Sequence, residues 1–98
     1  MAIQLNHTIV HAKDAKASAN FLTDMLGLGE PGRFGPFWTV QLDNDVTLDY
    51  LQTDESFIVE HYAFLVSESE FDTIFARIKQ RRLEYWADPM KSGPSHVV

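Results

Sequence analysis

The sequence contains no cysteine, so disulfides, thiolate metal sites and a cysteine nucleophile are all excluded. No apolar run approaches the roughly 20 residues that span a bilayer, and no basic segment followed by a long apolar one opens the chain. A G-x-S-x-G nucleophile turn and a glycine-rich phosphate loop are also missing, which leaves acyl transfer and nucleotide chemistry without support. Basic residues are few: 8 Lys and Arg stand against 14 Asp and Glu, for a formal net charge of -6 at pH 7. An acidic chain repels nucleic acid and anionic membranes. The one basic cluster, Lys79, Arg81 and Arg82, falls near an expected helix end, where it suits the dipole better than a phosphate. These absences lead to the expectation of a cytoplasmic protein with neither nucleic acid nor membrane as a partner.

What the chain does have is enough apolar material for one modest core: 98 residues, 45% of them hydrophobic and 22% charged, which is the balance of an ordinary globular domain. It also has an internal repeat. His7 opens one short apolar run and His61 opens another. Each is followed seven residues later by an acid, Asp14 and Glu68, and fourteen residues later by a phenylalanine, Phe21 and Phe75. A strand followed by a helix, twice over, constrains the whole fold.

Residues 3–11 alternate as a strand does, with Leu5, His7, Ile9 and His11 on one face. Asp14 offers an N-cap, and Ser18, Phe21, Leu22, Met25 and Leu26 fall on one helical stripe that Gly27 and Gly29 end. Residues 30–36 read as a loop by composition. Residues 37–42 and 46–52 read as the two strands of a hairpin, the second with Thr47, Asp49 and Leu51 on one face. Residues 53–56 form a polar turn between the copies, too short for a flexible linker. A second strand is expected over about 59–66. Ser67 and Glu70 then make a capping box for a helix whose stripe is Phe71, Ile74, Phe75 and Ile78. Tyr85, Trp86 and Ala87 suit the start of another strand, and an irregular tail over 88–98 is expected after it. The first copy therefore reads β-α-β-β, while the second runs out where its hairpin belongs.

The helix-to-loop run Phe21-Leu22-Thr23-Asp24-Met25-Leu26-Gly27-Leu28, after a strand carrying His7, resembles the signature of the glyoxalase, bleomycin-resistance and extradiol-dioxygenase superfamily, the vicinal oxygen chelate proteins. The second strand His61-Tyr62-Ala63-Phe64-Leu65-Val66 and its capped helix extend the resemblance over nearly the whole chain. It implies an α+β fold of paired βαββ modules, module one over about 1–53 and an incomplete module two over about 57–98, in a single glyoxalase-like domain. A ferredoxin-like or dimeric α+β barrel beginning is the rival fold, but it gives no reason for two matched histidines.

Metal-binding members of the superfamily place ligands on the first and last strands of each module, which carries over to His7, Asp49 and His61. The fourth position has no counterpart. Asp49 stands where a longer glutamate or a histidine is common, and both departures lower the expectation of glyoxalase-type isomerase chemistry. The three side chains are expected to converge on a divalent ion (Zn, Fe, Ni or Mn), because two imidazoles and one carboxylate leave open positions for substrate. Phe37, Trp38, Tyr50 and His11 are the candidate ligand-contacting residues. For Phe37 and Tyr50 core packing is the stronger expectation, whereas a buried Trp38 indole would need a polar partner. Two functions follow. One is a metal-dependent lyase, isomerase or dioxygenase acting on a small oxygenated molecule. The other is a metal-free binding protein of the bleomycin-resistance type. Pairing of modules between chains, the family's common way of sealing the cavity, adds the expectation of a homodimer.

Overall fold

The computed structural model describes residues 3–86, 93 and 95. The element order is β1 (His7–Ala12), α1 (Ala15–Leu26), β2 (Gly32–Phe34), β3 (Phe37–Gln41), β4 (Thr47–Gln52) and α2 (Glu68–Gln80). The chain divides into two compact units, Met1–Ile58 and Val59–Val98. The fold is mixed α+β, as the patterning implied.

In the first unit the strands form one sheet in the order β1-β4-β3-β2. β1 runs parallel to β4, while β3 is antiparallel to both β4 and β2. The parallel pair needs a crossover, and α1 supplies it. Asp14 caps that helix as expected, its Oδ1 accepting from the Ala17 N–H at 3.1 Å. Gly27 ends it in the left-handed conformation, φ 69°, which glycine adopts without a Cβ clash.

Two details of this unit differ from the sequence reading. The 30–36 segment is not all loop, because Gly32–Phe34 pairs with β3 as a short edge strand. The hairpin turn is Gly35-Pro36, with Gly35 at φ 56°, the positive φ that a II′ turn requires at its first central residue. A Cβ at Gly32 would come within 3.0 Å of Thr39 Oγ1, so a bare backbone suits the close approach of the two strands. The buried side of α1 is also rotated from the expected stripe. Ala15, Ala19, Thr23 and Met25 are buried, whereas Phe21 is 45% exposed. Small alanines let the helix lie close on the sheet, which a stripe led by Phe21 would hold off, and the Thr23 hydroxyl is satisfied by Asn20 O at 3.0 Å. With Ala12, Val40, Val46, Leu48 and Tyr50 these residues make the core.

In the second unit α2 has the anticipated capping box. Ser67 N–H donates to Glu70 Oε1 at 2.8 Å, and Glu70 N–H donates to Ser67 Oγ at 3.2 Å. The Ser67 backbone N–H, and then its hydroxyl, hold the Glu70 carboxyl below its ordinary value of 4.5. Phe75 packs edge-on against Tyr85 at 5.1 Å and beside Phe71 at 5.9 Å. Two expectations need correction here. No residue of α2 is buried: Ile74, Phe75 and Ile78 are half-buried and Phe71 is 58% exposed. Residues 59–66 form no strand, since a strand exists only as part of a ladder and nothing among the described residues pairs with them. Ala87 and most of the expected tail over 88–98 lie outside the described residues. No helix among the described residues is long and apolar enough to cross a membrane.

Candidate functional site

Strand alternation sorts the sheet of the first unit into two faces. On the side of α1 lie Leu48, Tyr50, Val40 and Trp38, paired in register as Trp38↔Tyr50 and Val40↔Leu48. On the opposite face lie His7, Ile9 and His11 from β1, Thr47, Asp49 and Leu51 from β4, and Phe37, Thr39 and Gln41 from β3. The structure therefore gathers four of the candidate residues, His7, Asp49, Phe37 and His11, on one face, hereafter the histidine face. Trp38 and Tyr50 are on the other. Tyr50 is core, 8% exposed, and lines an open groove beside α1 with Phe21, Leu22, Ala17, Ser18 and Asp14. Trp38 is half-buried under two cations, Arg33 at 4.5 Å and Lys16 at 5.3 Å from the ring, which gives its indole a cation–π role at the sheet margin.

Asp49 is the anomaly of the histidine face. It is half-buried, yet its Oδ1 is buried with no hydrogen-bond partner among the described residues. An orphaned carboxylate oxygen costs more than an orphaned neutral group, on the order of 3 kcal/mol or above, so this oxygen calls for a donor or a cation beyond the described residues. Its register partner on β1 is Ile9, which sets His7 and His11 as its two diagonal neighbours on the same face, roughly 7–8 Å away by the usual spacing of such neighbours.

The His7 ring is oriented by a residue that the motif reading missed. Asn6 Oδ1 lies 2.7 Å from His7 Nδ1. An amide oxygen accepts, so this contact takes a proton on Nδ1, and the neutral ring in that tautomer has its lone pair on Nε2. This is the second-layer hydrogen bond that commonly fixes the tautomer of a metal-binding histidine. The signal was present in the sequence as an amide immediately before the histidine, but the neighbour's rotamer decides whether it reaches. A carboxylate with an unclaimed oxygen and an imidazole with a free Nε2 form the donor set that a borderline divalent ion takes, so the residues present fit one. His61, the third residue carried over, is exposed in the second unit. Among the described residues no group of three His, Asp or Glu is gathered into a metal cluster.

A second missed feature stands at the end of β1. The His11 ring stacks on Phe57 at 6.0 Å and 28°. Lys13 Nζ lies 5.6 Å from the centre of the same phenyl ring and donates to the carbonyls of Asp54 and Glu55, each at 2.9 Å. The turn is tied down further by Thr53 N–H to Ala12 O at 2.9 Å and Glu55 N–H to Thr53 Oγ1 at 3.1 Å. Nothing in a polar turn between two repeats points to such anchoring, because every contact in it is set by tertiary placement.

Comparison with known proteins agrees with this architecture. No family model matches the sequence. The chain is 30% identical over 103 aligned residues to a glutathione transferase FosA from Serratia marcescens, across 97% of this chain and 72% of that protein. Among solved structures it is similar to Oxidase ChaP-H1, with 57% identity and a TM-score of 0.91 over 95% of this chain and 75% of that one. It is similar also to Oxidase ChaP-H2, with 55% identity and a TM-score of 0.90 over 96% of this chain and 74% of that one. With the sheet order and the helix-to-loop signature of the first unit in place, these likenesses establish that the chain belongs to the vicinal oxygen chelate superfamily.

Proposed function

We propose that the protein is a divalent-metal-dependent oxidase that acts on a small oxygenated molecule, with His7 and Asp49 of the first unit as metal ligands. The observation that carries this reading is the Oδ1 of Asp49, buried without a hydrogen-bond partner among the described residues and on the same face as His7. An oxidase is preferred to a transferase because the likeness to the two oxidases, 57% and 55%, far exceeds the 30% to the transferase. A divalent ion in such a set supplies Lewis-acid polarisation of a substrate oxygen and open positions for exchange. The chain's own part is to hold and orient. Asn6 fixes the His7 tautomer, Asp49 supplies the negative charge, and the half-buried Phe37 and Leu51 keep the surroundings of that charge apolar, which strengthens each electrostatic contact.

The free outer edge of β1, an edge strand of this sheet, suits pairing with a second copy of the chain, so a homodimer forms part of the reading. Light scattering at micromolar concentration is expected to give twice the chain mass, and a monomer mass contradicts that part alone. The function is tested by oxygen uptake across a panel of small oxygenated compounds, using protein stripped with chelator and then reconstituted separately with Zn, Fe, Ni and Mn. Uptake that appears only after reconstitution and is absent in Asp49→Asn supports the reading. Equal uptake by stripped and reconstituted protein contradicts it.

A further inference from the structure

We propose that His11 is a second polar anchor on the histidine face, separate from the metal ligands, which receives a carboxylate or phenolate oxygen of the bound molecule. The inference rests on the reading of this face as the ligand surface. It starts from the asymmetry of His7 and His11 about Asp49. Both are diagonal neighbours of that carboxylate, but only His7 has a hydrogen-bond partner that sets its ring. His11 is held instead through its flat face, by Phe57 at 6.0 Å and 28°. Stacking fixes the plane of an imidazole without occupying its nitrogens, and among the described residues neither ring nitrogen of His11 has a partner.

Phe57 is in turn fixed from the other direction by Lys13, whose ammonium lies 5.6 Å from the ring centre and is pinned to two backbone carbonyls. The end of β1 thus presents the ring nitrogens of His11, held in plane by a phenyl ring that Lys13 caps. A ligand crossing this face meets the Asp49 carboxylate at its centre and the His11 imidazole at its rim. Its own oxyanion belongs at the rim, where a charge-assisted hydrogen bond from His11 is available. Lys13 and Phe57 act as positioning residues, since neither has to touch the ligand.

The test is an NMR titration of the histidine ring protons in the full chain, with benzoate as the oxyanion probe and benzyl alcohol as its neutral counterpart. Benzoate is expected to shift the His11 ring protons and to bind about tenfold more tightly than benzyl alcohol, the ratio that one charge-assisted hydrogen bond gives. His11→Ala is expected to abolish the preference. Phe57→Leu keeps apolar bulk while removing the aromatic face, and is expected to reduce the preference and relieve the ring-current shift of His11, with unchanged circular dichroism. Equal binding of the two probes, or benzoate shifts that leave His11 untouched, would overturn the proposal. Zinc added to the same sample separates this from the metal reading. The His7 ring protons are expected to move while those of His11 stay in place. If His11 moves with zinc, its assignment as a metal-free anchor is wrong. If His7 does not move, the metal reading fails, and the benzoate result still decides the role of His11.

Discussion

The two helices are built from similar local instructions and end in different circumstances. Each begins at a side-chain cap, Asp14 for α1 and Ser67 for α2, and each carries an apolar stripe. Yet α1 buries Ala15 and Ala19 completely against a four-stranded sheet, whereas no residue of α2 is buried and residues 59–66 beside it in sequence make no ladder. Capping and periodicity specify that a helix forms and which side is apolar. They do not supply the surface that the apolar side covers, and that surface is where most helix stability in a protein comes from. The first unit has such a surface within its own residues, and its functional face is the reverse side of the same sheet.

The largest effect should come from cutting the core of the first unit. Leu48→Ala is expected to cost about 2–5 kcal/mol, since Leu48 is 4% exposed and packs under α1. Phe71→Ala in α2 should cost less than about 1 kcal/mol, because the ring is already 58% exposed. Urea unfolding of the two variants checks the contrast, and equal losses would show that α2 is covered in solution as fully as α1. Next in size is Asp49→Asn. It removes a charge whose Oδ1 is unsatisfied, so the metal-free protein should gain about 1 kcal/mol while losing metal binding, the usual opposition between stability and function at a site. A loss of thermal stability in the metal-free variant would mean that the carboxylate has a structural partner.

Ser67→Ala should cost about 1 kcal/mol through the cap of α2. The same cap gives the smallest effect, a dependence on pH. The folded-state value of Glu70 lies below 4.5. The contribution is therefore fully present above pH 4.5 and is lost as pH falls through the lower folded-state value, because the ionised carboxylate is the stronger acceptor for the Ser67 N–H. Helicity of the wild-type chain followed by circular dichroism from pH 6 to pH 2 should fall below 4.5, and the part of that fall owed to the cap should be missing in Ser67→Ala.

The helices, their caps and the β3–β4 hairpin were legible in the sequence because each is set by residues a few positions apart. Asp14 reaches Ala17, Ser67 reaches Glu70, and the 43–45 turn closes with Leu42 N–H on Val46 O at 2.8 Å. Strand parity was legible for the same reason, and it placed His7 with His11 on one face of β1 and Asp49 with Thr47 and Leu51 on one face of β4. What could not be read were decisions made across the sheet. The third hairpin strand depends on Gly35 turning a loop-like composition back onto β3, and the exposed position of Phe21 depends on how closely two alanines dock. That the faces of β1 and β4 coincide, and that Trp38 falls with Tyr50 on the opposite side, follows from a register that only the β4 pairing fixes. Phe57 and Asn6 were missed because stacking on His11 and orienting His7 are matters of rotamer and placement, with no spacing signature.

The central claim is that the Asp49 carboxylate, whose Oδ1 has no partner among the described residues, and the oriented imidazole of His7 belong to a metal centre. It is tested most directly by the metal content per chain of protein purified without chelator or affinity histidines, compared across wild type, His7→Ala and Asp49→Asn. The account predicts about one divalent ion per chain in the wild type, with affinity lower by at least about tenfold in each variant. A wild type that takes up no ion, or variants that bind as tightly as it does, would contradict it.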